Sequence, residues 1–210
     1  TGYPFATIEP EEISINDSTV QAGLFIDKGP EILFDSIIVK GDVNISEFYL
    51  RNYLSLLKAT PFSMQKIRQT VPLIRSLAFL EMSADYELAF AEDRADLLLY
   101  LKKKKANQFN GMIGILPNNQ TSGKLSITGD LNLVLLNAFG AGENLNLKWK
   151  KYDIESQTMN IDFFYPYLLK SRFGTGLTFM MEKQDSSYLS TYLLVNLRYF
   201  TFADNGFDVF

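Results

Sequence analysis

The stretch Lys124–Lys151, KLSITGDLNLVLLNAFGAGENLNLKWKK, alternates between two kinds of side chain. Leu125, Ile127, Gly129, Leu131, Leu133 and Leu135 form one set; Ser126, Thr128, Asp130, Asn132, Val134 and Leu136 form the other. After the turn NAFGAG, Leu145, Leu147 and Trp149 alternate with Asn144, Asn146, Lys148 and Lys150. Successive strand residues point to opposite faces, so a period of two makes one face greasy and the other wet. Whatever this chain folds into must supply an apolar neighbour on one side of these strands, either a protein core or lipid.

The same pattern recurs in six segments, at about 107–116, 124–137, 143–153, 156–166, 173–184 and 191–202. In the fourth, Met159, Ile161, Phe163 and Tyr165 oppose Thr158, Asn160, Asp162 and Phe164. Leu177, Phe179 and Met181 do the same in the fifth, and Leu193, Val195, Leu197 and Tyr199 in the sixth. A soluble sandwich also alternates, but its strands average about 5–6 residues, whereas a tilted transmembrane strand needs roughly 9–11. Aromatics gather near the segment ends at Tyr152, Tyr165, Tyr167, Tyr199, Phe200 and Phe202, where the interfacial girdles of a membrane barrel sit. A lipid-facing barrel is therefore favoured over a soluble sandwich. Leu131, Leu133, Leu145, Leu147, Phe163, Phe179, Val195 and Leu197 are expected toward lipid; Asn132, Asn146, Asp162, Thr178, Asn196 and Arg198 are expected toward the lumen. Outer-membrane barrels start at about eight strands, so six imply missing C-terminal staves or several chains sharing one barrel.

Composition narrows the chemistry. The chain has no cysteine and no histidine, which excludes disulfides, thiolate zinc sites, cysteine nucleophiles and Ser-His-Asp catalysis. No P-loop, HExxH or GxGxxG pattern occurs. The expectation is no enzyme, no cofactor and no metal. A net charge of −4 over 210 residues gives no basic field for nucleic acid. No run of 18 apolar residues marks a membrane helix. The opening TGYPFATIEP has neither a charged region nor an apolar run, so the chain reads as a piece of something longer.

Residues 30–105 read differently, as strand, helix, helix, strand, strand. EILFDSIIVKG is β-rich. NISEFYLRNYLSLL has a candidate N-cap at Ser46 and Leu50, Tyr53, Leu54 and Leu57 at helical spacing. SMQKIRQTVPLIRSLAF has a candidate cap at Ser63, with Ile67, Val71, Ile74 and Leu77 on one face; Pro72 should kink or break it. EMSADYELAFAED and RADLLLYLKKKK form a hairpin pair. Residues 1–29 look like the last two strands of the same kind of unit, a tandem repeat entered mid-repeat. After Lys105 helical periodicity ends.

GYPFA at Gly2–Ala6, IDKGP at Ile26–Pro30 and FDSIIVKGDVNISEFYLRNYLSL resemble the POTRA modules of the BamA-type outer-membrane assembly family. KANQFNGMIGILP, LSITGDLNLVLLNAFGAGENLNLKW and FFYPYLLKSRFGTGLTF, with its P-x-x-x-x-S hairpin, resemble the first strands of that family's barrel. TamA, two-partner secretion transporters and patatin-fused barrels are relatives. LKATPF departs from the commoner form in carrying Ala59 where glycine is usual. The family's Arg-Gly-Phe or Arg-Gly-Tyr on a late loop lies beyond the span of this sequence.

The resemblance implies an α+β POTRA module (βααββ) followed by antiparallel strands of an outer-membrane β-barrel of about 16 strands, here truncated. The implied domains are 1–29, the end of a preceding POTRA module; 30–105, a complete module; and 106–210, about six barrel strands. The implied function is outer-membrane protein assembly in a Gram-negative bacterium, by strand pairing with clients, with the POTRA part in the periplasm. A two-partner secretion channel or the carrier barrel of a fused lipase is the alternative within the family, and a soluble β-rich binding domain is the alternative outside it. Implied partners are outer-membrane lipid, unfolded β-barrel clients and accessory lipoproteins reached through POTRA, with no nucleic acid.

Two sheet edges are candidate client sites, because unpaired N–H and C=O groups accept an added strand. One is the seam strand Asn107, Gln108, Phe109, Asn110, Gly111, Met112, Ile113, Gly114, Ile115 and Leu116; its glycines and least regular alternation suggest weak pairing. The other is the POTRA edge strand with Met82, Ala84, Tyr86, Leu88 and Phe90. Lys102, Lys103, Lys104 and Lys105 are candidate lipid-headgroup contacts or a solvated strand end. Gly2-Tyr3-Pro4-Phe5 reads as a turn. Asp130, Asp162, Glu182 and Arg198 read as lumen solvation rather than a charged site. Limited proteolysis of the membrane-embedded protein should release a soluble fragment ending within about five residues of Lys102–Lys105; a protected core starting inside 124–137 would move that boundary.

Overall fold

A computed structural model describes residues 1–117, 125–153, 155–201 and 207–209. Three sheets follow one another. A hairpin of β1 (Thr7–Asn16) and β2 (Thr19–Asp27) comes first. The second sheet holds β3 (Leu33–Lys40), β4 (Thr60–Pro61), β5 (Leu80–Met82), β6 (Glu87–Ala91) and β7 (Arg94–Lys103), with α1 (Glu47–Tyr53) and α2 (Met64–Ser76). The third is a meander of β8 (Gln108–Pro117), β9 (Leu125–Leu136), β10 (Asn144–Lys151), β11 (Gln157–Tyr165), β12 (Phe173–Gln184), β13 (Tyr188–Tyr199) and β14 (Phe207–Val209). Each of these pairs antiparallel with the next, and among the described residues the sheet stays open.

The α/β unit is built around β7, which lies parallel to β3 on one side and antiparallel to β5 and β6 on the other. Along β7, Ala95, Leu97, Leu99 and Leu101 are fully buried while the residues between them are not. That alternation means the helices cover one face. Leu50 of α1 and Ile67 and Ile74 of α2 are likewise fully buried and join one core with Ile32, Phe34 and Ile37. The Ser63 side chain caps α2 by accepting the Lys66 N–H at 3.5 Å. Ser46 makes no such side-chain bond, and α1 stops at Tyr53, short of Leu57.

Three expectations change here. Helix α2 runs through Pro72 unbroken. The proline sits on the exposed side, one turn past Arg68, whose freed carbonyl is on the solvated face where water can take the lost bond. The expected edge strand from Met82 to Phe90 is two pieces. Residues 83–86, with Ala84 and Tyr86, bulge out between β5 and β6, because Met82 pairs with Leu101 but Glu87 already pairs with Leu98. Ser, Ala and Asp are poor strand formers, and a bulge is a common way to blunt an edge. The short strand β4, pairing Leu33–Phe34 with Thr60–Pro61, is additional.

Residues 1–6 form a turn that docks on this unit. The Gly2 N–H donates to the Phe62 carbonyl and the Ile32 N–H to the Gly2 carbonyl, each at 2.7 Å. Phe5 packs edge-on against Phe90 at 4.9 Å. By contrast β1 and β2 are exposed along their whole length.

Two positions carry backbone constraints of opposite sense. Gly41 has φ +115, and a Cβ there would run into the Leu101 carbonyl. Ala59, where a glycine was expected from the resemblance, has φ +58, a conformation that costs an L-residue roughly 1–2 kcal/mol. Ala59→Gly should therefore stabilise the α/β unit by about 1 kcal/mol, and Gly41→Ala should destabilise it by at least about 2 kcal/mol. Urea titration followed by circular dichroism checks both; loss of stability in A59G would contradict the strain at Ala59.

Candidate functional site: a two-faced strand wall and its joint

The wall's faces follow from its register. Phe109, Leu133, Leu147, Ile161, Phe179 and Leu193 stand side by side across six strands, and the adjacent row is Gln108, Val134, Asn146, Asp162, Thr178 and Leu194. No register shift interrupts the ladders from β8 to β13. All eight residues expected toward lipid fall on one face, and all six expected toward a lumen fall on the other. The apolar face is open: Ile113 is 81% exposed, Leu193 63% and Val195 58%. Strands of 12 residues such as β12 reach roughly 40 Å, which a tilt of about 45° reduces to roughly 28 Å, close to the hydrocarbon thickness of about 30 Å.

The polar face is held by pairs rather than by one charged centre. Asp130 lies 3.7 Å from the Lys150 ammonium. Asp162 accepts a hydrogen bond from the Thr178 hydroxyl at 2.8 Å. Glu182 accepts one from the Gln184 amide, and the Arg198 guanidinium sits 5.2 Å over the Phe164 ring. Among the described residues no group of three or more acidic, Cys or His side chains is placed to hold a metal.

Strand β8 is an edge of the wall: it pairs only with β9, and its other side is unpaired among the described residues. The pairing with β9 is regular over ten residues, from Gln108–Val134 to Pro117–Leu125. The irregularity read in the sequence lies in side chains, not register. Gly111 faces the Phe109 ring and Leu131, and a Cβ on Gly114 would meet the Thr128 hydroxyl at 2.6 Å. Asn107 lies just before the strand, where its side-chain oxygen accepts the Leu136 N–H at 2.8 Å. The backbone of Leu116 belongs to β8, but its side chain lies outside the described residues.

The lysine run bridges the two sheets. Lys102 and Lys103 end β7, opposite Glu81 and Leu80. Lys102 has a carboxylate neighbour, Glu81, at 3.2 Å. The Lys104 N–H donates to the Phe79 carbonyl, and residues 104–107 form the whole link to β8.

Two aromatics leave the girdle in which the sequence placed them. Tyr167 is only 9% exposed and joins the α/β core, with Tyr49 at 5.9 Å and Phe48 at 6.1 Å. Phe200 packs 4.8 Å from Tyr167. The cause is the turn after β11. Tyr167, Leu169 and Lys170 all adopt positive φ, and the Ser171 hydroxyl closes the turn onto the Leu168 carbonyl at 2.6 Å. Tyr165, Phe173 and Tyr199 stay on the apolar face, the last two paired at 5.1 Å. Phe202 lies outside the described residues.

Sequence reasoning missed the turn Asn137–Glu143, which docks on α1. Its signal was a pair of glycines followed by a glutamate, read only as a hairpin turn.

No family model and no curated protein matches the sequence. Among solved structures, BamA from Haemophilus ducreyi lacking POTRA domains 1–3 is similar at 18% identity and a TM-score of 0.56, covering 94% of this chain and 37% of that one. CdiB from Acinetobacter baumannii is similar at 14% identity and a TM-score of 0.51, covering 94% and 38%. The chain thus spans little more than a third of either. The likeness is one of fold: mostly antiparallel strands laid out as part of a barrel wall.

A charge placed on either face distinguishes hydrocarbon from water. Leu147→Lys should cost about 2–4 kcal/mol. Asn146→Lys, in register with Asp162, should cost little. Denaturant unfolding from lipid vesicles measures both, and equal costs would mean that the apolar face does not meet lipid.

Proposed function

We propose that this chain is part of a BamA-type outer-membrane protein, with residues 30–105 as a POTRA module in the periplasm, residues 1–29 as the end of a preceding one, and β8–β14 as staves of a transmembrane barrel. Its work is to insert client β-proteins by strand pairing, without bond-making chemistry or a cofactor. The observation that carries this reading is the edge of β8, unpaired among the described residues, on a wall with one apolar face and joined by four residues to an α/β unit. Inside hydrocarbon an unpaired backbone group costs several kcal/mol, so this edge must be paired. Backbone hydrogen bonds are nearly equivalent between partners, so a closing strand can be exchanged for a client strand at little cost.

The α/β unit offers a second, shorter edge. The bulge at 83–86 confines strand addition to β6, where Leu88 and Phe90 lie. Lys103, Lys104 and Lys105 sit where the unit meets the membrane, and each contributes on the order of 1 kcal/mol toward anionic headgroups. Accessory lipoproteins would meet the same unit.

A secretion channel would use the same wall differently, passing its client along the polar face. The likeness to CdiB is of similar extent, so the fold leaves this second reading open. One experiment separates them. Single cysteines at Met112 or Ile113 should crosslink to a stalled client's terminal strand. A disulfide between β8 and its closing strand should stop insertion while leaving the fold intact. Normal insertion through the locked seam would overturn the strand-exchange reading; unimpaired passage of a soluble passenger would favour the channel.

A further inference from the structure

The α/β unit and the wall are fastened at the turn Asn137–Glu143. Glu143 is 2% exposed, and its carboxylate accepts the N–H groups of Phe139 and Ala141, at 2.5 and 3.0 Å. The Asn137 side-chain oxygen accepts the Gly142 N–H at 2.8 Å, and the Asn137 backbone N–H donates to the Glu143 carbonyl at 2.7 Å. A turn folded this way around its own acid presents backbone outward. The Gly140 carbonyl accepts the N–H of Ser46, the residue that opens α1, at 2.7 Å. The Asn137 amide donates to the Asn44 carbonyl at 3.0 Å. Gly142, at φ +78, lies so close to the Tyr49 ring that any Cβ would collide with it.

We propose that this turn is a clamp that sets the angle between the α/β unit and the strand wall, with Glu143 as its positioning residue. The only covalent tie is the link 104–107, which fixes a distance but not an orientation. The aromatic contacts of Tyr49, Tyr167 and Phe200 hold the two bodies together but tolerate sliding, because ring packing is weakly directional. The two hydrogen bonds to residues 44–46 are directional, and they exist only while the turn keeps its shape. Removing the carboxylate takes the acceptor from two part-buried N–H groups, Phe139 and Ala141, that hold the turn closed, so the turn loosens and its contacts to α1 are lost. The α/β core and the strand ladders do not involve Glu143 and persist. The mechanical consequence rests on the assembly reading: a fixed angle keeps the β6 edge in one position relative to the free edge of β8.

The chain has no cysteine, so two can be introduced cleanly for spin labels, at exposed Arg68 on α2 and at Ser186 at the far end of the wall. In phosphatidylethanolamine–phosphatidylglycerol vesicles the parent should give one narrow distance distribution. Glu143→Ala should at least double its width at unchanged strand content, and Glu143→Gln, which keeps one acceptor oxygen, should fall between. Gly142→Ala, which drives a Cβ into Tyr49 and strains the turn at φ +78 while leaving the Glu143 carboxylate in place, should also broaden it. An unchanged width in both Ala variants overturns the clamp, as does failure of both to fold, which would make the turn a folding element. Client insertion is measured separately: a broadened distance with normal insertion leaves the clamp standing and removes its link to assembly.

Discussion

The register of the strand wall is the constraint on which everything else depends. A shift of one residue in any ladder would carry that strand's whole apolar set to the polar face. Here Leu133, Leu147 and Ile161 stay level, as do Val134, Asn146 and Asp162, because consecutive strands pair without a bulge. Short turns hold that phase. Asp153 accepts the N–H groups of Glu155 and Ser156, and these bonds hold its carboxyl below the usual carboxylate range. Asp185 accepts hydrogen bonds from the Ser187 hydroxyl and then its N–H, and these bonds likewise hold its carboxyl low. Backbone pairing and side-chain sorting thus reinforce each other along the sheet.

The joint works by close approach. Gly140 and Gly142 let the β9–β10 turn reach α1, and Tyr49 fills the space between them. Tyr49 is 6% exposed and stacks on Tyr53 at 5.6 Å. A phenol is already neutral at ordinary pH, and burial, with Tyr53 beside it, pushes this one further upward, so it sits in the seam without charge. Residues from three parts of the chain (α1, the turn after β11 and the end of β13) meet at this seam through Tyr49, Tyr167 and Phe200. The core of the α/β unit therefore extends into the end of the wall.

Much of this was legible because period-two alternation is local. The segments near 107–116, 124–137, 156–166 and 173–184 coincide with β8, β9, β11 and β12 to within a residue or two, and face assignments need only parity. Ser63 was readable as a cap because capping acts over three residues. What was not legible depends on partners distant in sequence. Tyr167 and Phe200 look like girdle residues until the positive-φ turn at Tyr167–Lys170 swings Tyr167 onto α1, where Phe200 packs against it. Ser46 looks like a hydroxyl cap, yet its backbone N–H serves Gly140. The bulge at 83–86 needs the pairing of Met82 and Glu87 with β7 to be seen. Ala59 could be flagged as unusual, but only its φ of +58 says why a glycine would fit better.

Whether the apolar face meets a core or lipid turns on what could cover it. A sandwich partner would have to lie about 10 Å above the face, along its length. The α/β unit instead touches the wall at its strand ends, through Leu136, Tyr167 and Phe200, and leaves Ile113, Ile127, Leu193 and Val195 more than half exposed. Apolar surface left in water forfeits about 25 cal/mol per Å², so a soluble domain of this shape would associate through that face. Lipid removes the penalty without a second layer, and the strands are long enough to cross it. It also imposes a further demand. Water can satisfy a free sheet edge and hydrocarbon cannot, so placing this wall in a membrane obliges the open side of β8 to find a strand. The apolar face and the open edge are in this sense linked: a lipid environment that stabilises the first would also oblige the second to pair.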